Sequence, residues 1–405
     1  VWYSGKLWRA VSINNEAKTT KLVTQWNISA INYNAENNKA FEGSYMEDWL
    51  NDTSVDGFLG NLREPEKFIV MDAKWDATAD DNELGSIPKP NGTTIVEDAV
   101  GLLNVYEYQS TNNGKTDGYL NNSLWWITIT PDNENGSQGR YFVNGKLTTY
   151  SLSSTPGVRP SIVLRSDVKI VSGSGTESDP YRLSGDNDSN LNGVKLNTRY
   201  SGEYIRFGNG ENNLYRIVSH ETSGLTKITS SEPLKSSGSF ITRAFDSNSS
   251  INYSSTTTMG TFLNGEYLTN YVGNEYSGMI EDNTTWYLGR LGQFTIHYRL
   301  AKYAYLTGNT LTSNKTDAKV GLLRFGELMS GQFNRTTNNV AYWLITPNDI
   351  IGNQRINIVK DDGSVDIYYC GENHGIKPVM NLKENVVITS GDGTKNNPFT
   401  IELNN

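Results

Sequence analysis

Two glutamates in nearly identical contexts are the first candidates for acid–base chemistry. Glu107 ends the run VGLLNVYE, and Glu327 ends the run VGLLRFGE. A repeated carboxylate could act as a general acid or base, but glycoside hydrolysis needs a second carboxylate facing the first. No second matched pair of acids can be assigned to face these two. We therefore expect each glutamate to accept hydrogen bonds from nearby backbone groups, and we expect no enzymatic activity.

Nucleophilic and metal chemistry lack the residues that they need. The single cysteine, Cys370, aligns with Leu152 in a repeated block, which favours a packing position over a reactive thiolate. No pair of His or Cys residues has the spacing of a zinc site. Asp186, Asp188 and Asn190 alternate like the start of a calcium loop, but the glycine and the final acid of an EF-hand are missing. We predict no cofactor and no metal site, and calcium stays open as an alternative at these three residues.

Aromatic and polar side chains suit sugar binding better than they suit catalysis. Trp125 and Trp126 are adjacent, so in a strand their rings point to opposite faces, and only one of them must be in the core. Exposed aromatic rings stack on sugar rings, while Asn and Asp hold hydroxyl groups. The loops after ITP and before GVRP or GIKP differ between the repeated blocks, through recognition or through neutral drift. The predicted ligand-binding residues are Trp125, Asp132, Asn133, Asn135, Asn348, Asp349, Glu372 and Asn373.

These residues belong to a tandem duplication. The phrase SGSGTESDPYRL (Ser172–Leu183) returns as SGDGTKNNPFTI (Ser390–Ile401), and GVRPSIVL returns as GIKPVMNL. Further blocks recur in the same order, among them LWRAVS with LYRIVS, TKLVT with TKITS, and YMEDWLN with TMGTFLN. Each copy, at roughly 200 residues, is long enough to have its own core. We predict one domain at residues 1–185, a polar linker at residues 186–199 and a second domain at residues 200–405.

Strands and turns dominate the pattern of each copy. LWRAVSI or LYRIVSH predicts a strand that pairs with TKLVTQW or TKITSS. Hairpins are predicted at the turns Asn144–Gly145 and Asp362–Gly363, where the turn residues are of the type that two-residue loops require. The module is predicted to close with the RP or KP strand, followed by a polar turn and a last short strand.

Two helices complete each predicted module. The WLN and FLN blocks predict a short helix with Trp49 and its counterpart Phe262 facing inward. The VGLL block predicts a second helix, capped in the first copy by Thr94 and Glu97. The predicted fold class is therefore α+β, with two tandem modules, each a small, twisted, mostly antiparallel sheet with two helices and long loops.

The composition excludes two classes of protein. Asp and Glu outnumber Lys and Arg by 44 to 35, and no basic cluster is present, so nucleic-acid binding is not expected. No apolar run is long enough to span a membrane. Abundant Asn, Ser, Thr, Gly and Tyr with a single Cys favour an extracellular location on a Gram-positive bacterial surface. The chain starts at Val1 rather than Met, which suggests a trimmed fragment.

The order of these blocks resembles an uncharacterised domain of Gram-positive surface proteins, which is similar to the formylglycine-generating-enzyme-like branch of the C-type lectin fold. The resemblance implies two tandem C-type-lectin-like modules with ligand sites on long loops. It does not imply formylglycine generation, because Cys370 lacks a second cysteine. The function expected is a non-enzymatic surface adhesin that binds a glycan or a protein. The alternative is a structural ectodomain subunit that assembles with itself into a pilus or another extracellular filament.

Overall fold

The protein is predominantly β. The computed structural model describes residues 1–34, 38–54, 57–79, 89–111, 118–220, 223–289, 314–327, 339–348 and 354–404. Strands account for 39% of the described residues and helices for 13%. The predicted α+β class with two helices in each C-type-lectin-like module is therefore wrong, because the described helices are four to six residues long and the sheets are many and small.

The chain divides into two compact units, the first formed mainly by Val1–Asn187 and the second beginning at Asp188. The first unit has a 3-10 turn at Leu59–Asn61 and three α-helices, which are α1 (Tyr45–Leu50), α2 (Pro65–Phe68) and α3 (Val105–Ser110). Its described strands are β1 (Trp2–Tyr3), β2 (Lys6–Asn14), β3 (Thr19–Thr24), β4 (Ser29–Ala30), β5 (Ala73–Asp76), β6 (Ile95–Asp98), β7 (Val100–Gly101), β8 (Trp125–Pro131), β9 (Gln138–Val143), β10 (Lys146–Ser151), β11 (Gly157–Val158), β12 (Ser161–Leu164), β13 (Ile170–Ser172) and β14 (Arg182–Leu183).

The second unit repeats much of this element order. Its described helices are α4 (Thr258–Leu263) and α5 (Gly273–Ser277), with 3-10 turns at Leu196–Thr198 and Gly210–Asn212 and a π-helical turn at Leu268–Val272. Its described strands are β15 (Tyr204–Arg206), β16 (Leu214–His220), β17 (Thr226–Ser230), β18 (Lys235–Ser236), β19 (Ser239–Phe240), β20 (Thr242–Ala244), β21 (Thr284–Tyr287), β22 (Lys315–Ala318), β23 (Val320–Leu322), β24 (Tyr342–Asn348), β25 (Arg355–Val359), β26 (Val365–Tyr369), β27 (Asn373–Gly375), β28 (Pro378–Leu382), β29 (Val386–Ser390) and β30 (Thr400–Leu403).

Two larger sheets and the core between them organise the first unit. One sheet has the order β13-β14-β1-β2-β3-β12-β7, the other has the order β10-β9-β8-β11-β4, and β5 and β6 form a separate ribbon. Val23 on β3, Tyr108 on α3, and Trp126 and Phe142 on β8 and β9 pack into one buried cluster. Burying aromatic and branched side chains from both sheets and a helix gives this unit its own core.

The corresponding sheets recur in the second unit. One has the order β15-β16-β17-β28-β23, the other has the order β20-β27-β24-β25-β26, and β21 and β22 form the separate ribbon. β17 pairs with β28 just as β3 pairs with β12, and β23 lies beside β28 just as β7 lies beside β12. The central pairings of the two copies are therefore the same.

The VGLL block is extended and not helical. Val100 pairs with Ile162 of β12, and Val320 pairs with Met380 of β28. A short apolar run suits a buried strand as well as a buried helix, and here the strand pairing decides between them. The capping box lies later than predicted, between Asn104 and Glu107 at the start of α3, so its assignment to Thr94 and Glu97 is wrong.

The other local predictions are confirmed, apart from the length of one turn. Trp49 on α1 and Phe262 on α4 are buried, as predicted for the short helices. β9 and β10 pair across Asn144–Gly145, where both residues have positive φ, the backbone that Asn-Gly hairpin turns require. β25 and β26 pair around Gly363 as predicted, but five residues, 360–364, connect the paired Val359 and Val365, so this turn is not a two-residue loop.

The repeated final phrase forms a turn that returns to a short strand in both copies. β13 pairs with β14, and β29 pairs with β30. Gly173 has φ 89° and its counterpart Gly391 has φ 91°. A Cβ at either position would lie 2.2 to 2.3 Å from the carbonyl oxygen of the proline seven residues later, so only glycine fits.

Candidate functional site

Asp132 organises its own loop through its carboxylate. Asp132 is 6% exposed, and its carboxylate accepts hydrogen bonds from the backbone N–H groups of Glu134 at 2.8 Å and Asn135 at 2.9 Å. Its second oxygen lies 3.3 Å from the guanidinium of Arg140. Asn135 in turn accepts hydrogen bonds from the N–H and the hydroxyl of Ser137, while Asn133 is exposed. These side chains therefore stabilise one tight turn.

The two adjacent tryptophans have different environments. Trp126 is buried under the guanidinium of Arg159, which lies 4.8 Å from its ring. Trp125 is partly exposed and packs against Tyr150, with ring centroids 5.0 Å apart. Trp125 begins β8 and Asp132 follows its end, so at the rise of an extended strand the two lie roughly 20 Å apart. The structure does not bring these two predicted residues into one site.

The predicted residues of the second unit are also dispersed. Asn348 is buried at the end of β24, where it pairs with Arg355, while Asp349 lies outside the described residues. Glu372 and Asn373 are neighbours and exposed, and a carboxylate oxygen of Glu372 lies 3.9 Å from Nε2 of His374.

The acidic residues considered for calcium are bonded to protein groups. Asp186 is buried, accepts a hydrogen bond from the N–H of Ser4 at 3.0 Å and lies 3.5 Å from Arg63. Asp188 lies 2.9 Å from Arg199. Within the described ranges no group of three or more His, Cys, Asp or Glu side chains could hold a metal ion.

The second unit contains a cavity that the sequence did not predict. Its volume is about 820 Å³, which is within the range of small-ligand sites. It lies over the β17–β28 pair and beside β21. The lining residues that matter for its chemistry are Lys227, Glu281, Thr284, Trp286, Tyr287, Arg324, Glu327, Asn381 and Glu384.

An ion-pair network forms the buried wall of this cavity. The Nζ atom of Lys227 lies 2.7 Å from Oε1 of Glu327, and a guanidinium nitrogen of Arg324 lies 3.4 Å from the same oxygen. Burial alone would raise the pKa of Glu327, but the two adjacent cations outweigh burial and hold this pKa below its ordinary value. Glu327 is therefore a fixed carboxylate and is poorly suited to donate a proton.

Two buried oxygen atoms on the lining have no hydrogen-bond partner in the described part of the chain. They are Oδ1 of Asn381 and Oγ1 of Thr284. Asn381 is 1% exposed and sits directly opposite Lys227 in the β17–β28 register. Leaving such atoms unsatisfied costs about 1–3 kcal/mol each, a cost that water or a ligand would remove by completing their hydrogen bonds.

The first unit has the same lysine–glutamate pair without these polar atoms, and Asn104 takes the position of Arg324. Lys21 on β3 forms an ion pair with Glu107, and its ammonium lies 4.6 Å from the centre of the Trp75 ring. Lys227 lies 5.7 Å from the corresponding Trp286 ring. Val163 lies opposite Lys21 in the first unit, and Asn381 lies opposite Lys227 in the second, so the two residues occupy matching positions. Ala73, two residues before Trp75, likewise takes the position of Thr284.

Part of this lysine–glutamate–tryptophan frame could be predicted from the sequence. Each matched glutamate accepts a backbone hydrogen bond, from Asn104 to Glu107 at 3.1 Å and from Arg324 to Glu327 at 3.0 Å, as predicted. Their lysine partners were missed, although Lys21 and Lys227 occupy matching positions in TKLVT and TKITS. Trp75 and Trp286 lie outside the repeated blocks that defined the duplication, and they precede the VGLL blocks by different distances, so no repeated spacing indicates them.

Cys370 is fully buried, as is Leu152 at the matching position of the first unit. Burial raises the pKa of the Cys370 thiol. The prediction of a packing position is confirmed, because a buried thiol with a raised pKa is a poor nucleophile.

No protein-family model, curated protein or solved structure matches this chain. In the part of the chain that the structure describes, none of the helices has the length and apolar character needed to cross a bilayer.

Proposed function

We propose that this chain is a non-enzymatic binding protein of a bacterial cell surface, and that its second unit binds a glycan in the cavity around Asn381. The observation that carries the proposal is a cavity of about 820 Å³ whose lining retains buried, unpartnered hydrogen-bonding atoms. Sugar hydroxyl groups both donate and accept hydrogen bonds, so they can complete the bonds of an amide oxygen and of a hydroxyl together.

The rest of the lining suits the same ligand class. Leu225, Leu322 and Ile345 line the cavity and provide apolar contact for the carbon face of a sugar. The buried carboxylate, Glu327, is held ionised by two cations, which supports binding rather than general acid catalysis. The extracellular location is supported by the polar, cysteine-poor composition.

A glycan array followed by calorimetry tests the proposal. The full chain is expected to bind at least one glycan saturably, with and without a calcium chelator. Asn381→Val and Thr284→Ala each install the residue that the first unit has at the matching position, so the folded frame should tolerate them. Each variant is expected to weaken binding about fivefold, the effect of losing one hydrogen bond of about 1 kcal/mol.

The first unit supplies a matched control for these variants. Val163→Ala changes the residue that corresponds to Asn381 without touching the cavity, and it should leave glycan binding unchanged. If the full chain binds no glycan on the array, the glycan proposal is contradicted.

A further inference from the structure

The cavity has an acidic rim in addition to its buried ion-pair network. Glu281 and Glu384 both line the cavity, Glu281 partly exposed and Glu384 exposed. No ion pair to either carboxylate occurs among the described residues, whereas the lining cations Lys227 and Arg324 both contact Glu327. The charge that a ligand would meet at the rim is therefore negative.

This rim belongs to the second unit alone. The N–H of Glu281 donates to the carbonyl oxygen of Asn381 at 2.8 Å, and the N–H of Val70 donates to that of Val163 at 2.9 Å, so Glu281 and Val70 occupy matching positions. By the constant offset of the GVRP and GIKP blocks, Glu384 matches Ser166. The Lys–Glu–Trp frame is common to both copies. Four differences between the copies lie at this cavity, as the pairs Asn381 with Val163, Thr284 with Ala73, Glu281 with Val70, and Glu384 with Ser166. A fifth, Arg324 with Asn104, adds a cation whose guanidinium lies beside the buried Glu327 carboxylate.

The Asn381 oxygen and the rim carboxylates of the second unit favour a ligand that donates hydrogen bonds. The Asn381 oxygen and both rim carboxylates can only accept hydrogen bonds, and the Thr284 hydroxyl can do either. An ammonium group supplies three donors and the opposite charge, while a sugar hydroxyl supplies one donor. A carboxylated sugar would bring a like charge to the rim, in a chain whose formal net charge is already −9.

We infer that the cavity selects glycans that carry free amino groups, binds neutral glycans more weakly and rejects acidic ones. This inference rests on the proposed function, because it names the chemistry of the ligand for the same cavity. The amine would sit at the rim between Glu281 and Glu384, and the sugar hydroxyl groups would reach Asn381 and Thr284.

Three oligosaccharide probes of equal length test the inference by calorimetry on the full chain at pH 6 and low salt. They are chitosan oligosaccharides with free amines, chitin oligosaccharides with acetylated amines, and oligogalacturonates with carboxylates. Chitosan is expected to bind about fivefold more tightly than chitin, the effect of partly exposed ion pairs, and oligogalacturonate is expected not to bind. High salt should reduce the preference for chitosan, because exposed charges are screened.

A charge variant separates the rim from the rest of the cavity. Glu281→Gln with Glu384→Gln should abolish the preference for chitosan, so that chitosan and chitin bind this variant with about equal affinity. The matched control, Glu16→Gln with Glu177→Gln, removes the same charge from exposed positions of the first unit and should keep the preference. Thermal unfolding of both double variants checks that they fold.

The outcomes distinguish the two proposals. Binding of oligogalacturonate as tight as that of chitosan would overturn the preference for amines and leave the glycan proposal standing. An unchanged preference in the Glu281→Gln, Glu384→Gln variant would also overturn it. If none of the three probes binds and the glycan array is silent, the proposed function fails, and the inference fails with it.

Discussion

Lys227 and Glu327 form a buried ion pair at 2.7 Å, and the first unit contains the same pair as Lys21 and Glu107. The Lys227 and Glu327 side chains are 5% and 9% exposed, whereas those of Lys21 and Glu107 are 15% and 20% exposed. The pair joins a central strand to the segment that follows the VGLL strand in each unit. Because the pair occurs in both copies, we assign it a structural role. In the second unit the same pair also lines the cavity.

Lys227→Met should destabilise the second unit by about 3 kcal/mol, since it leaves the Glu327 carboxylate buried with only Arg324 beside it. Urea unfolding measures this loss. Lys21→Met should cost less, because its partner is more exposed to water. The same substitution in the exposed pair of Lys74 and Glu97 should change stability by less than about 0.5 kcal/mol. Equal losses for Lys227→Met and Lys74→Met would contradict the structural role.

Gly321→Ala should destabilise the second unit by about 1–3 kcal/mol through overpacking. A Cβ at this position would lie 2.7 Å from the Trp286 indole, whose N–H is fixed by a hydrogen bond to the carbonyl oxygen of Ala318. The displaced ring would also disturb the cavity wall, so glycan affinity should fall together with stability. Thermal unfolding and calorimetry measure the two effects.

Gly136→Ala is the control for this prediction. Nothing lies within 4 Å of a Cβ at Gly136, and its φ is not positive, so alanine should be tolerated there. In the first unit Gly101 stands against Trp75 at 2.3 Å, and Gly101→Ala should be at least as harmful as Gly321→Ala. A neutral Gly321→Ala would show that the indole can move without loss.

Local features of the fold could be predicted from the sequence, because their causes are local. The Asn144–Gly145 turn needs two residues with positive φ, and the residue types state that need directly. The strand at Val100–Gly101 could not be distinguished from a helix, because its conformation is decided by pairing with β12, far along the chain. The overestimate of helix follows from this one ambiguity, which occurs once in each copy.

The cavity could not be predicted for a related reason. Asn381 and Lys227 become neighbours only through the register of β17 and β28, and nothing local marks that register. The loops favoured from sequence differ between the copies, but Asp132 shows that a polar loop residue can be fully used by its own turn. Differences at aligned strand positions, such as Asn381 against Val163, lie at the cavity, whereas the loops favoured from sequence do not line it.

Asp98→Asn should make the first unit more stable at neutral pH. Burial, and then the neighbouring Glu47 carboxylate, raise the pKa of Asp98 from 3.8 to about 7. Between these two values the folded state holds a proton that the unfolded state has released, so stability falls as pH rises through this window. The asparagine variant should lose less stability between pH 4 and pH 7, as measured by the unfolding temperature of the first unit.

The second unit provides the internal control for Asp98, because Ala318 takes the matching position on β22. Its unfolding temperature should have the same pH dependence in the wild type and in Asp98→Asn. Identical first-unit profiles in the two proteins would show that Asp98 does not titrate in this window.

Lys377→Met should stabilise the second unit, and most strongly at and below neutral pH. Lys377 is 2% exposed, and its ammonium lies 3.4 Å from the carbonyl oxygen of Ser231 and 5.2 Å from the centre of the Tyr342 ring. Burial, followed by repulsion from Arg216, lowers its pKa from 10.5 to about 7.

Between pH 7 and pH 10.5 the unfolded state binds a proton that folded Lys377 does not, so the stability of the wild type should rise with pH through this window. Methionine fills a similar volume without a charge, so the advantage of Lys377→Met should shrink as pH approaches 10. Urea unfolding at pH 6, 8 and 9.5 measures the difference between the two proteins at each pH. Lys383→Met, at a partly exposed lysine directly after β28, is the control for removing an ammonium group that lies outside the core. A difference for Lys377→Met that stays constant with pH would mean that this lysine keeps its charge in the folded core.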